Sequence, residues 1–268
     1  NVTAERAEDW LEPYAPETLR MLAILYAANG DQAEAAKAAG AAARLYQQIY
    51  TAFPTLASIA MAEQANYQFN ADPDQPELAQ QLCRHALAAV PPLGSRDRLQ
   101  QPIREALSAY LLAAGDESSA AAIIMELTGN KDPYAAMKQV GARYSQLAMM
   151  YGGVAPEYRP TRYPLWRSRA ISLLSETGAG QILRAQEAFE TRRDTDVVDA
   201  WLKAESLGAN PEFIDNMLAH ALAQRPEIEV YRTLAAQRGV QPATRPAETQ
   251  PVAASQPTAT RTTTTKAS

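Results

Sequence analysis

The sequence predicts an all-α protein built of about six stacked helical hairpins. Three observations predict it. Alanine supplies 54 of the 268 residues, while valine supplies 9 and phenylalanine 4; alanine favours helices, and strands favour β-branched and aromatic residues. Apolar residues recur at helical spacing, so that Leu19, Leu22, Ala23 and Tyr26 share one face. Pro54, Pro91, Pro92, Pro102, Pro133, Pro164, Pro211 and Pro226 fall between such stretches or at their starts, where proline is tolerated.

The first helix is expected over Thr18–Asn29 and ends at Gly30-Asp31. The second runs from about Gln32 to Ala52 and stops before Pro54. Ten more follow at about 55–70, 76–90, 99–114, 117–128, 133–151, 164–176, 180–192, 195–207, 211–224 and 227–238. Hairpins then start near 18, 55, 98, 132, 179 and 211, spaced by 37, 43, 34, 47 and 32 residues. That is a loose repeat, and hairpins of this size bury their apolar faces by stacking on one another. Asp72-Pro73-Asp74 and Asn130-Lys131-Asp132-Pro133 read as turns running into N-caps. Asp194 and Asp196 read as caps of the helix at 195–207.

Residues 241–268 have a different composition. Thr, Ala, Pro, Gln and Ser dominate, with no aromatic side chain. Burial there does not offset ordering entropy, so a disordered Thr/Ala/Pro-rich tail is expected. It reads as a plain tail, a spacer or a glycosylated stalk. Its deletion is expected to leave the melting temperature within about a degree.

The net charge is −5. The tail carries a surplus of two positive charges, which leaves −7 on residues 1–240. Nucleic-acid binders usually present a basic field, so no nucleic acid is expected as a partner. No apolar run approaches the ~18 residues of a membrane span. Cys83 is the single cysteine and forms no internal disulfide. Cys83 and His85 lie two apart on a helix and point to different faces, as a buried thiol beside a surface imidazole. His220 reads as a hairpin-packing residue. The stretch Glu187, Glu190, Asp194, Asp196, Asp199 lacks the glycine and glutamate of a calcium loop. Phosphate-loop, dinucleotide, zinc-protease and serine-hydrolase motifs are missing from the sequence. The expectation is a protein that is not an enzyme and takes no cofactor or metal.

Three stretches share a frame. Leu22-Ala23, Tyr26, Gly30 and Ala35 fit a pattern of a large and a small residue, an aromatic three on, glycine four further and alanine five further. Leu107, Leu111, Gly115 and Ala120 repeat it, with leucine at the aromatic place. Leu147-Ala148 and Tyr151 repeat its first half, and Ala155 then stands where glycine belongs. In this the chain resembles tetratricopeptide-repeat (TPR) proteins, loosely over residues 16–240. The resemblance implies a right-handed α-solenoid and a protein–protein interaction scaffold, with the first helix of each hairpin lining the concave face that holds a peptide or partner subunit. It leaves room for a larger assembly. The clamp that some members use for C-terminal carboxylates needs Lys and Asn, whereas the matching places here hold Glu17, Arg20, Ile24 and Ala27. Run backward, the frame puts a repeat-ending proline at Pro13, so residues 1–15 read as the end of a preceding repeat or an N-terminal cap.

One connection is long. From Gly152 to Pro164 the chain takes thirteen residues, against about 4–6 for a median loop. Between 143 and 169 there are five arginines and one glutamate, a local +4 on an acidic body. Tyr158, Arg159, Arg162, Tyr163, Trp166 and Arg167 are therefore the candidate binding residues, for a protein or acidic peptide. The stripe Tyr144, Leu147, Ala148, Tyr151 reads as core. The alternative for the loop is structural: arginines paired to Glu157, Glu187 or Glu190 would stitch it down. Other readings of the whole chain are an RNA-binding repeat protein of the pentatricopeptide kind, suggested by Leu207-Gly208-Ala209-Asn210-Pro211, an all-α enzyme, or an array with no discrete ligand.

Overall fold

The structure, a computed structural model, describes residues 15–49, 54–90 and 96–243. The expectations for residues 1–14 and for most of the C-terminal tail lie outside the described residues. Within them the protein is all-helical, with twelve α-helices and no strand. They are α1 (Ala15–Ala28), α2 (Gln32–Ile49), α3 (Pro54–Ala71), α4 (Pro76–Ala89), α5 (Arg96–Ala114), α6 (Glu117–Thr128), α7 (Pro133–Gly152), α8 (Tyr163–Leu173), α9 (Gly178–Glu190), α10 (Asp194–Ser206), α11 (Pro211–Gln224) and α12 (Glu229–Arg238). A 3₁₀ turn at Pro156–Tyr158 lies between α7 and α8. Every expected helix is present, within a few residues of its expected ends.

The helix ends follow from local chemistry. Asp31, Asp116, Asp132, Thr177 and Asn210 each accept a main-chain N–H of the helix they precede, which satisfies a donor that the first turn leaves open. Gly30 (φ +85°) and Gly115 (φ +90°) adopt the left-handed conformation between α1 and α2 and between α5 and α6. Asp31 N–H then reaches Tyr26 C=O and Asp116 N–H reaches Leu111 C=O. The bonds place both glycines at equivalent points of the same turn. The caps expected from Asp194 and Asp196 are not formed. Arg193 takes the N-cap place of α10 and both aspartates sit in its first turn, where they complement the helix dipole instead.

The chain divides into two compact units, one ending at Ala209 and one beginning at Asn210. In the first, each helix packs on its successor. The odd-numbered helices also touch at the next odd-numbered neighbour, α3 on α5, α5 on α7 and α7 on α9. Small side chains allow the closeness. Ala23 is fully buried against Ala38 and Ala39, and α2 buries alanines on several sides, from Ala35 and Ala36 to Ala41 and Ala42. A separate, larger apolar core runs from Ala15 to Leu183, with Trp166, Tyr144, Leu112 and Leu183 among its largest members. Of the expected stripe, Tyr144, Leu147 and Ala148 are buried in it and Tyr151 packs against it partly buried. Cys83 is buried and His85 exposed.

The second unit pairs α11 with α12. Ile214, Leu218, Tyr231 and Leu234 are buried, and Arg238 bonds Asp215 at 2.8 Å. His220 is exposed on α11 and not a packing residue; the i and i+4 places beside Leu218 and Leu222 face inward, and 220 falls between them. Ala243 N–H donates to Ala219 C=O at 3.0 Å, so the chain returns to α11 at residue 243. Among the described residues no helix is long and apolar enough to cross a membrane.

Candidate functional site

The six residues singled out by sequence do not form an open cationic patch. Trp166 is fully buried, and its indole N–H donates to Ala113 C=O at 3.0 Å. Tyr163 is buried too, with the Arg159 and Arg167 guanidiniums lying 4.7 and 5.1 Å from its ring centre. Arg159 donates to the carbonyls of Gly152 and Val154, each at 2.8 Å, and to Glu190 at 2.9 Å. Arg167 bonds Glu190, and Glu187 lies 3.8 Å away. Burial works against the Arg167 charge, but the bonds to Glu190 and Tyr163 outweigh it and raise its pKa. Arg162 reaches Glu77 at 3.1 Å and Ala113 C=O at 3.4 Å. Only Tyr158 stands free of the body, 76 % exposed.

The expectation of an acidic-peptide patch is therefore corrected by the alternative reading: the loop is stitched down. The acidic partners, Glu77, Glu187 and Glu190, come from other helices. The charges of Arg159, Arg162 and Arg167 are paired in space.

The structure brings a different set of residues together. Between α3 and α5, on the layer of odd-numbered helices, runs a groove of about 370 Å³. Ile59, Ala62, Ile103, Ala106 and Tyr110 give it an apolar floor. The ring of Tyr110 leans on Phe69, with centroids 5.0 Å apart. Thr55, Asn66 and Tyr67 supply a polar rim, and Asn66 is exposed. Pro102 lines the wall inside α5. It has no N–H, so it removes one helical bond to a carbonyl four residues back.

Glu63 is the single charged residue of the lining. Arg20 of α1 grips it with two bonds, at 2.9 and 2.6 Å. Arg20 also approaches Glu17 at 3.4 Å, and Glu17 accepts from the Tyr46 hydroxyl. One guanidinium is thus shared by two carboxylates, and the cluster keeps a net negative charge. The bonds to Glu63 hold the Arg20 pKa above its ordinary value. Burial first, and then Glu17, raises the Tyr46 hydroxyl, and burial with Glu63 raises that of Tyr67. Both tyrosines stay protonated donors at neutral pH. Sequence reasoning named Glu17 and Arg20 only as places where a clamp was missing. Glu63, Tyr67 and Ile103 carried no signal, because the groove exists only where two helices distant in sequence lie side by side.

A second crevice, of about 280 Å³, lies between α9 and α10 and is lined by charged side chains such as Arg184, Asp199 and Lys203. Among the described residues no group of three or more His, Cys, Asp or Glu side chains is placed to hold a metal. No family model, curated protein or solved structure matches the chain.

Proposed function

We propose that the protein is an interaction scaffold of the TPR kind, a right-handed α-solenoid whose α3–α5 groove holds a peptide segment of a partner protein. The observation that carries this is the place and character of the groove. It lies on the layer formed by the first helices of successive hairpins, it has an apolar floor, and its rim offers hydroxyl and amide groups. Peptide sites commonly combine apolar pockets with a few placed polar groups.

The chemistry of the partner follows from charge. The Arg20–Glu17–Glu63 cluster beside the groove is net negative, and the chain as a whole carries −5. A segment with a bulky apolar side chain next to Lys or Arg complements both the floor and the field. An acidic segment loses its basis once the loop arginines are paired.

The test is photo-crosslinking in the native cell. A photoreactive residue placed at Asn66, on the rim, should capture a partner that the same residue at the exposed Lys131 does not. Ala106→Trp should fill the groove and abolish capture. Equal capture from both positions, or capture undiminished by Ala106→Trp, overturns the reading.

A further inference from the structure

We propose that the α7–α8 segment is a latch that sets the width of the α3–α5 groove, a regulation that rests on the groove being the binding site. The segment leaves its own hairpin and touches the α3–α4 turn on one side of the groove and the end of α5 on the other. Thr161 donates from its main-chain N–H and its hydroxyl to one oxygen of Asp74, each at 2.8 Å. Arg162 bonds Glu77 at 3.1 Å. Asp74 lies in the turn between α3 and α4, and Glu77 in the first turn of α4. On the other side, Arg162 and the Trp166 indole both donate to the carbonyl of Ala113, in the last turn of α5. The segment and the first turn of α8 therefore fix the α3–α4 turn relative to the end of α5.

The two sides of the latch differ in strength. Toward α7 and α9 it is anchored by Arg159 and Arg167, whose side chains are only 13 and 11 % exposed and which converge on Glu190. Arg159 also closes two carbonyls of its own segment. Toward hairpin α3–α4 it is held by Arg162 and Glu77, 32 and 54 % exposed, and by the exposed Asp74–Thr161 bonds. Exposed ion pairs are weak and are screened by salt, whereas sheltered charge-assisted bonds persist. The latch opens on the α3 side first, and the far end stays seated as a hinge. An open latch frees hairpin α3–α4 to move against α5, and the groove between them widens.

The experiment measures the groove with no partner present. Spin labels at Asn70→Cys on α3 and Gln101→Cys on α5, both exposed sites, report the separation of the two walls in the full chain. Cys83 stays unlabelled, since it is buried and burial pushes its thiol up to about 12. The parent should give one narrow distance distribution. Asp74→Ala with Glu77→Ala should add a longer-distance population, as should Arg162→Glu. Restoring the pair in reverse, Arg162→Glu with Glu77→Arg, should narrow the distribution again and shows that the fold was intact throughout. A distribution unchanged in both Asp74→Ala with Glu77→Ala and Arg162→Glu overturns the latch. Because no partner is used, a failure of capture at Asn66 would remove the binding role without touching this result, and the converse also holds.

Discussion

Arg192 occupies in the α9–α10 turn the place that Gly30 occupies in the α1–α2 turn. Each is left-handed, at φ +57° and +85°. Each donates its N–H three residues back, to Phe189 and Ala27, and the next residue donates five back, Arg193 to Ala188 and Asp31 to Tyr26. The turn is the same; only the residue that makes it differs. An L-residue in this conformation costs about 1–2 kcal/mol, and glycine loses about 0.5–1 kcal/mol of that advantage through its freer unfolded chain. Arg192→Gly is expected to stabilise the protein by up to about 1 kcal/mol, read as a raised urea midpoint with an unchanged slope. A lowered midpoint would show that the Arg192 side chain matters more than its backbone.

Ala23 of α1 sits at zero exposure against Ala38 and Ala39 of α2. No room remains for a larger side chain. Ala23→Leu should cost roughly 1–3 kcal/mol by overpacking, and Ala23→Ser much less. Thermal unfolding of the two variants side by side checks the register of the first hairpin.

Trp166→Phe removes the one short hydrogen bond to the Ala113 carbonyl and part of a fully buried ring. We expect a loss of about 2–4 kcal/mol. Tyr158→Ala, two turns earlier and 76 % exposed, should stay within about ±0.5 kcal/mol. If the two losses proved equal, the buried and exposed ends of the segment would have to be reassigned.

Glu117 accepts two bonds from Arg169 and one from the Tyr144 hydroxyl. The Arg169 bonds, with a smaller contribution from Tyr144, hold its carboxyl below the ordinary carboxylate range against the opposing effect of its partial burial. A folded pKa below the unfolded value, about 4.3 for Glu, gives stability that is complete well above that pH and is lost as pH falls through the folded value. Glu117→Gln should therefore be less stable by about 1–2 kcal/mol at pH 7. The gap to the parent protein should close in acid, below about pH 4. Melting curves from pH 7 down to pH 3 measure it; a gap independent of pH would mean that shape and not charge holds this site.

How far the sequence could be read shows best in two stretches. Along Leu19, Leu22, Ala23 and Tyr26 it was read correctly, because helical spacing, the small residue at the contact and the glycine of the turn are all local signals. Between 152 and 167 it was misread. Counted along the chain, one glutamate stands among the five arginines of 143–169. In space, Arg159, Arg162 and Arg167 pair with Glu77, Glu187 and Glu190, between 20 and 85 residues away. Asp194 and Asp196 show the same limit on a smaller scale: the sequence reads them as caps of α10, whereas Arg193 holds the cap place and both lie in the first turn.

The sequence by itself determined the helices, their ends and their hairpin order, since propensity, proline, capping residues and apolar period act over a few residues. Only the tertiary structure decided which charges are free and where a groove opens. Ion pairing depends on distance in space, so a basic segment becomes a brace when distant carboxylates are brought to it. A groove is a gap between two surfaces, Ile59 and Ala62 on one and Ile103 and Ala106 on the other, and neither helix alone contains it.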